Sequence, residues 1–267
     1  MTEQLKITQN DPYLAPFEQA IVGRHNYAIA REKELLGSTN KTLSDFASGY
    51  MFFGLFKVKR SWVLREWAPN ATAIYLIGDF NNWQVSEEYQ LKQDGNYFWI
   101  ELTGLTPQKE YAMQYVVVRS DGVVKRISDL FSEKVVHSDD QWEPMTVDPT
   151  LMPYPQEADG YATVIQTGKP AFQWSDATLN FKRPNKNNLV IYELWVYDHT
   201  QHRSIAGLMD RLQYFEDMGV NAIELMPVTE FDGNENWGYS PNHYFALDKA
   251  YGTPEQMKTF VDECHKR

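Results

Sequence analysis

Two stretches in the last third of the chain decide the fold: Leu189–Val196, LVIYELWV, and Val220–Val228, VNAIELMPV. Each is a nearly continuous apolar run, the pattern of a strand buried on both faces. Between them Ser204 is placed to cap a helix. Ile205, Leu208, Met209, Leu212 and Phe215 then recur at helical spacing, and Gly219 can end the helix. After a loop, Thr253-Pro254-Glu255-Gln256 supplies an N-cap, a proline at the first helical position and a capping-box glutamine. Met257, Phe260, Val261 and Cys264 form the apolar stripe of that second helix. A β-α-β-α series implies parallel strands joined by right-handed crossovers. YDHTQHRSIAG after the first strand lacks the G-x-G-x-x-G of a dinucleotide site, so the first two units of a TIM (β/α)8 barrel fit better.

N-terminal to this segment, residues 137–188 are punctuated by Pro144, Pro149, Pro153, Pro155, Pro170 and Pro184 and read as a mostly irregular linker with one candidate strand, YATVIQ. Residues 61–136 hold short β-rich runs, WVLREWA, TAIYLIGDF, YFWIEL and YAMQYVVV, separated by turn residues such as Pro69-Asn70 and Asp94-Gly95. Asp121-Gly122 predicts a two-residue type I′ hairpin, which needs positive φ at both centres. This spacing indicates a small antiparallel sandwich or barrel. Residues 1–60 form a helical lead-in, with Asp11-Pro12 and Thr42…Asp45 as start signals. Its apolar positions are irregular, as in a segment that packs on a neighbour.

The chain has 267 residues, 43% hydrophobic and 14% aromatic, enough for one large domain or two ordinary ones. Against 36 acidic residues there are 25 basic ones, giving a net charge of −11 and no basic run. That argues against a nucleic-acid partner, whose phosphates are bound by lysine and arginine. The one cysteine, Cys264, excludes an internal disulfide framework and fits a reducing compartment. MTEQLKITQNDPY has no apolar signal core, and no stretch approaches the roughly 20 apolar residues of a membrane span. The expectation is a cytoplasmic protein with no membrane partner.

In a barrel, reactive groups sit at the C-terminal ends of strands and in the loops that follow. That places Asp198 after the first strand, and Glu230, Asp232, Glu235, Trp237 and Tyr239 after the second. Asp198 and Glu230 are the candidate acid–base pair, although acidic residues at such positions more often face solvent or cap helices. Glu193 and Glu224 lie inside apolar strands and need partners if buried. His199 and His202 lack the companions of a metal set, and His243 and His265 stand alone. There is no Gly-x-Ser-x-Gly elbow and no phosphate loop, and Cys264 reads as core. The sequence therefore points to no metal, nucleotide or other cofactor. The aromatics carry more: Trp237-Gly238-Tyr239-Ser240-Pro241 puts two flat rings in a turn-rich loop, suited to stacking on the C–H faces of a neutral sugar polymer. Trp83, after Gly78-Asp79-Phe80-Asn81-Asn82, reads either as a second stacking residue or as a corner of the sandwich core.

These residues resemble a known family. REWAPNATAIYLIGDFNNW (Arg65 to Trp83) resembles the N-terminal CBM48-type β-sandwich of glycogen branching and debranching enzymes. DPYLAPFEQAIVGRHNYA and TLSDFASGYMFFGL resemble the helical lead-in of eukaryote-like 1,4-α-glucan branching enzymes. NLVIYELWVYDHT, GVNAIELMPVTEF and WGYSPNHYFALDKAYGTPEQMKTFVDECHKR resemble the opening of the α-amylase superfamily (glycoside hydrolase family 13) barrel. The resemblance implies a helical lead-in (1–60), an immunoglobulin-like sandwich (61–136), a linker (137–188) and a partial TIM barrel (189–267). It implies α-glucan as partner, Tyr239 as the aromatic stacking on the sugar beside the scissile bond, and Trp83 as a sugar-stacking tryptophan. Where glycan-binding members carry a lysine in the later strand, this chain has Gln114, and no second tryptophan lies near Gly122.

The implied reaction is a retaining double displacement, with the glycosyl-enzyme passing to a 6-hydroxyl in branching or to water in hydrolysis. The first 136 residues favour branching; YELWVYDHT and WGYSP look closer to amylase and debranching types. The third reading is a non-catalytic glucan-binding piece. The family's catalytic carboxylates come from strands four, five and seven, and its Asp-x-x-x-Asn-His motif from strand three. None falls within these residues, so no catalytic residue is assigned here. Roughly 80 residues run from Leu189 to Arg267, against about 250 for a whole barrel; the chain reads as an N-terminal portion, inactive alone, whose two strands leave an apolar edge uncovered.

Overall fold

The computed structural model describes residues 6–141 and 150–267; Pro144 and Pro149, with the first five residues, lie outside them. The chain divides into two units, residues 1–52 and 53–267. The first is helical: α1 (Lys6–Asn10), a 3-10 turn (Pro12–Phe17), α2 (Glu18–Leu36) and α3 (Leu43–Phe46). Its start signals work as the sequence indicates. Tyr13 N–H donates to Asp11 Oδ1 at 2.9 Å, and Thr42 and Asp45 form a reciprocal capping box. α2 buries none of its side chains, the consequence of apolar positions that fall on no single face.

Among the described residues the second unit opens with nine strands: β1 (Gly54–Val58), β2 (Ser61–Trp67), β3 (Ala71–Gly78), β4 (Lys92–Asp94), β5 (Tyr97–Leu102), β6 (Glu110–Arg119), β7 (Val124–Ile127), β8 (Val135–Val136) and β9 (Ala162–Gln166). They form two antiparallel sheets, ordered β1-β2-β5-β4 and β3-β6-β9-β8, with β7 also on β6. Alternation supplies the core between them. Leu64, Phe98, Ile100 and Leu102 come from one sheet; Ile74, Leu76, Met113, Tyr115, Val117 and Ile165 come from the other. Full burial of an aliphatic or aromatic side chain of this size is worth about 1.5–3 kcal/mol.

Three details differ from the sequence reading. The sheet begins at Gly54 rather than near residue 61, because the apolar LF of Gly54–Val58 pairs in register with β2. The strand inside the proline-rich stretch, β9, is integral, pairing with both β6 and β8. The Asp121-Gly122 hairpin is present, but only Gly122 has positive φ (80°), so the turn is not type I′. Asp121 instead accepts the Val123 N–H at 3.1 Å, the Asx geometry its short side chain favours.

The last third contains β10 (Ile191–Leu194), α5 (Val196–His199), α6 (Ile205–Met209), α7 (Leu212–Asp217), β11 (Ala222–Leu225), β12 (Thr229–Phe231), β13 (Pro241–Leu247) and α8 (Pro254–Lys266). β10 and β11 pair in parallel, Tyr192 beside Ile223 and Leu194 beside Leu225. Those four side chains pack on Ile205, Leu208, Leu212, Phe215 and Phe260, so the helix stripe falls where its spacing put it. The single helix expected after Ser204 is broken at Asp210–Arg211, while both halves keep their apolar residues inward. Glu193 and Glu224 lie side by side on the opposite, exposed face, where water solvates them and no buried partner is needed, and Ile191 on that face is 54% exposed. The stretch after β11, read as loop, holds the β12–β13 hairpin. The linker also carries α4 (Asp176–Leu179), tied to α8 through Asp262, which accepts from Ser175 Oγ at 2.8 Å and Thr178 Oγ1 at 2.7 Å.

One group in the sandwich is at odds with its surroundings. Glu66 is buried, its Oε1 accepts the Trp67 N–H at 2.9 Å, and its Oε2 has no hydrogen-bond partner. Burial, with the charge of Asp129 added, pushes its pKa up to about 9. The folded state thus holds this proton more tightly than the unfolded chain does. Its contribution is fully present below the ordinary carboxylate pKa and is lost as pH rises towards 9. Urea unfolding of the wild type is expected to show stability falling between pH 5 and 9, with Glu66→Gln more stable than wild type at pH 9 by on the order of 2 kcal/mol. Parallel pH profiles for the two proteins would contradict the buried, protonated glutamate.

Candidate functional site

The GDFNNW turn is built to insert its tryptophan. Asn81 accepts the Gly78 N–H through Oδ1 (2.9 Å) and donates through Nδ2 to the Leu76 carbonyl (3.0 Å), while Asn82 and Trp83 sit at φ 52° and 59°. Positive φ at two non-glycine residues is strained and persists only where the surroundings enforce it. Here Trp83 Nε1 donates to Asp79 Oδ1 (3.0 Å), and Asp79 Oδ2 accepts the Ala112 N–H (2.7 Å). The ring is 7% exposed and packs on Ile77, Ala112, Val116 and Val164. Leu151, Met152, Tyr154 and Ala158 close over the same cluster, and Gln114 is buried, donating to the Asp159 and Tyr161 carbonyls. The reading of Trp83 as a surface stacking residue is therefore corrected: the chain's own 151–161 segment covers that face, and the core alternative describes the ring.

The other two candidates are open. Trp237 and Tyr239 are 62% and 63% exposed, in the connection between β12 and β13. The connection is held from beneath. Trp195 Nε1 donates to the Asn236 carbonyl (3.0 Å) and to Tyr251 Oη (2.9 Å), and Tyr251 Oη itself reaches Asn236 O at 3.3 Å. Tyr197 stacks on Trp195 with centroids 4.9 Å apart and donates to Glu235 Oε2 (2.9 Å). The Arg203 guanidinium lies 4.4 Å above the Tyr197 ring. Gly238, at φ +83°, separates the two rings; a Cβ there would collide with the Pro227 carbonyl. A tight turn on a largely covered aromatic base, with Tyr251 buried and Trp195 and Tyr197 half-buried, thus leaves two flat rings facing solvent, bordered by the exposed Asp232 and Glu235.

Asp198 and Glu230 are not brought together. Asp198 is exposed at the end of α5, whereas Glu230 is fully buried and paired to Lys249. Lys249 Nζ also contacts Asp140 Oδ1 at 3.1 Å. Burial alone would lower the Lys249 pKa, but the carboxylates of Glu230, Asp140 and Asp248 outweigh it and hold the ammonium charged. Burial pushes Glu230 up to about 8 and Asp248 up to about 6. His243, also buried, pairs through Nε2 with Ser128 Oγ (2.7 Å) and stands 5.0 Å from the Tyr161 ring; burial and Lys249 push it down to about 4. These groups join the sandwich to the β12–β13 hairpin. Sequence reasoning passed over Lys249, Asp140 and Asp248, which are indistinguishable in sequence from surface charges; only the hairpin pairing brings them to one place.

His199, His265 and the thiol pack against neighbouring side chains. His199 stacks on Phe215 at 5.2 Å, His265 stacks on Phe181 at 3.9 Å, and His202 is exposed in a turn. Burial pushes Cys264 up to about 11, so its thiol stays protonated beside the α8 core. Among the described residues, no group of three or more His, Cys, Asp or Glu side chains is placed to hold a metal ion.

Comparison with known proteins agrees with this layout. Residues 178–267 match the family described as alpha amylase, catalytic domain, and residues 53–132 match carbohydrate-binding module 48, the isoamylase N-terminal domain. A match to carbohydrate-binding module 48 is thus followed along the chain by a match to the alpha amylase catalytic domain. It is 29% identical over 272 residues to a 1,4-alpha-glucan-branching enzyme of Aspergillus oryzae, covering 97% of this chain and 36% of that protein. The 1,4-alpha-glucan branching enzyme GlgB of Lactobacillus acidophilus is 28% identical, covering 77% of this chain and 30% of its own length. A crystal structure assigned as an alpha amylase from Salmonella typhimurium shares the fold, with a TM-score of 0.59 and 24% identity, over 80% of this chain and 31% of that one. The chain spans about a third of the length of these curated relatives.

The corrected role of Trp83 has a direct check. Trp83→Ala is expected to lower stability by about 3–5 kcal/mol in urea unfolding, the cost of an emptied aromatic core position. A loss below about 1 kcal/mol would return the ring to the surface.

Proposed function

We propose that this chain forms the N-terminal, glucan-contacting part of a 1,4-α-glucan branching enzyme that acts in the cytoplasm. The observation that carries the reading is the similarity to branching enzymes across nearly the whole chain, helical lead-in included. The exposed Trp237–Tyr239 turn supports it, since two open rings on a rigid base match the apolar face of a neutral sugar chain without calling on charge. In this reading β10 and β11 are the first strands of a (β/α)8 barrel, and the sandwich is immunoglobulin-like. Tyr239 stacks on the sugar beside the bond to be broken, and Trp237 extends the contact. The chemistry is a retaining transfer: a carboxylate attacks the anomeric carbon, an acid protonates the departing oxygen, and a 6-hydroxyl of another glucan chain receives the glycosyl group. No side chain described above is asked to be that nucleophile or acid.

Hydrolysis is the second reading, favoured by the match of residues 178–267 to the alpha amylase catalytic domain and by 32% identity over 152 residues to a malto-oligosyltrehalose trehalohydrolase of Saccharolobus solfataricus. The two part on the acceptor. In a longer protein containing this chain, new α-1,6 linkages seen by proton NMR without added reducing ends support transfer; reducing ends without new linkages support hydrolysis.

The 267-residue polypeptide itself is expected to bind soluble starch weakly and to turn over no glucan. The double substitution Trp237→Ala/Tyr239→Ala is expected to weaken binding about tenfold in affinity electrophoresis, the loss of two stacked rings. Equal retardation of wild type and variant, or an iodine-stain change produced by the pure polypeptide, would overturn the assignment.

A further inference from the structure

The sandwich has two outer faces, and they differ. The face beyond the second sheet is filled by Trp83 and covered by residues 151–161. On the first sheet, alternation sends Leu64, Phe98 and Ile100 inward, and therefore Arg65, Trp67, Tyr97, Trp99 and Glu101 outward. Register places them in two adjacent rows. Trp67 lies directly opposite Tyr97, and Tyr97 opposite Asp94; Arg65 lies opposite Trp99, and Trp99 opposite Lys92. Directly paired residues on one face have Cβ atoms about 5 Å apart, so the three rings are neighbours. Trp67 is 52% exposed, Tyr97 Oη donates to Asp94 Oδ2 at 2.6 Å, and Lys92 Nζ lies 4.9 Å over the Trp99 ring.

Charge selects the occupant. On a chain of net charge −11, this patch carries two cations, Arg65 and Lys92, and two anions, Asp94 and Glu101. A polyanion or a basic peptide gains no net attraction from it. A wholly apolar partner would bury four charged side chains without giving them hydrogen bonds, which is costly. A neutral polyhydroxyl chain meets both demands, with C–H faces on the rings and hydroxyls on the carboxylates and cations. We propose that the outer face of the first sheet is a second α-glucan-binding surface, centred on Trp67 and separate from the Trp237–Tyr239 turn. It rests on the glucan reading for the identity of the ligand.

The test is affinity electrophoresis of the 267-residue protein in glycogen-containing gels, with maltoheptaose titrations followed by tryptophan fluorescence. Trp67→Ala is expected to weaken glycogen binding about fivefold on its own. Combined with Trp237→Ala/Tyr239→Ala, it is expected to abolish the binding that the loop variant retains. Trp67→Phe, which keeps a ring, is expected to restore most of the affinity. Circular dichroism and urea unfolding confirm that each variant is folded, as an exposed ring allows. Binding unchanged in Trp67→Ala but lost with the loop variant overturns this surface and leaves the glucan reading standing. A wild type that glycogen does not retard overturns both. Self-association that Trp67→Ala abolishes, with glycogen affinity unchanged, overturns the proposal in favour of a second copy of the chain.

Discussion

Lys249 sits where the sandwich meets the β12–β13 hairpin, and its ammonium is shared between carboxylates from both sides: Asp140, which follows β8, and Glu230, which lies in β12. A buried cation of this kind adds little net stability against a well-packed apolar alternative, because desolvation consumes most of the attraction. Its effect is on geometry. Removing either partner leaves a charge in a low-dielectric site, so the two elements are held in one arrangement rather than several. Around it Tyr161 donates to the Phe231 carbonyl (3.2 Å), Asn242 donates to Tyr161 Oη (2.9 Å), and His243 meets Ser128. Asp248 accepts the Phe231 and Ala250 N–H groups and so ties the two strands of the hairpin to the same cluster.

The consequence for function is positional. The hairpin whose base is pinned this way carries Trp237 and Tyr239 at its far connection, where Trp195 and Tyr251 brace the backbone of Asn236. A ring can select a sugar face only if its own orientation is settled beforehand; otherwise ordering it on binding consumes affinity. The aromatic ladder Phe53, Phe131 and Phe245, with centroids 5.1 and 5.2 Å apart, adds an apolar seam between sandwich and hairpin beside the ionic one. The sandwich is thus part of the support for the loop, and the face beyond its second sheet is closed by the chain itself, with Trp83 and Gln114 buried under residues 151–161.

Local signals carried the fold far. Ser204, Thr253 and Gly219 mark helix ends where the structure has them, and the stripe from Ile205 to Phe215 lies on the core despite a break in the helix that its periodicity does not reveal. What escaped was set by long-range pairing. β9 lies among prolines and looks like linker until β6 offers it an edge, and the hairpin from Thr229 to Leu247 has turn residues so dense that its strands read as loop. The exposure of the candidate rings was legible to the same degree. Trp237 and Tyr239 stand out because exposed rings beside Gly238 and Pro241 serve no core. Trp83 did not declare itself, since the same motif serves an open or a covered face and the cover comes from residues about seventy positions later. Trp67, Tyr97 and Trp99 could have been found from period-two alternation in REWAP and YFWIEL, once Leu64 and Phe98 are assigned inward.

The central claim is that the buried Lys249 cluster locks the hairpin to the sandwich and so sets the Trp237–Tyr239 turn. Amide hydrogen exchange in wild type and Lys249→Met tests it most directly, because methionine keeps the volume and removes the charge. The account requires protection to fall together at Phe231, Asp248 and Ala250 in the hairpin and at the β8–β9 pairing in the sandwich, with the β3–β6 pairing unaffected. Unchanged protection across the hairpin, or a uniform loss throughout residues 53–267, would contradict it.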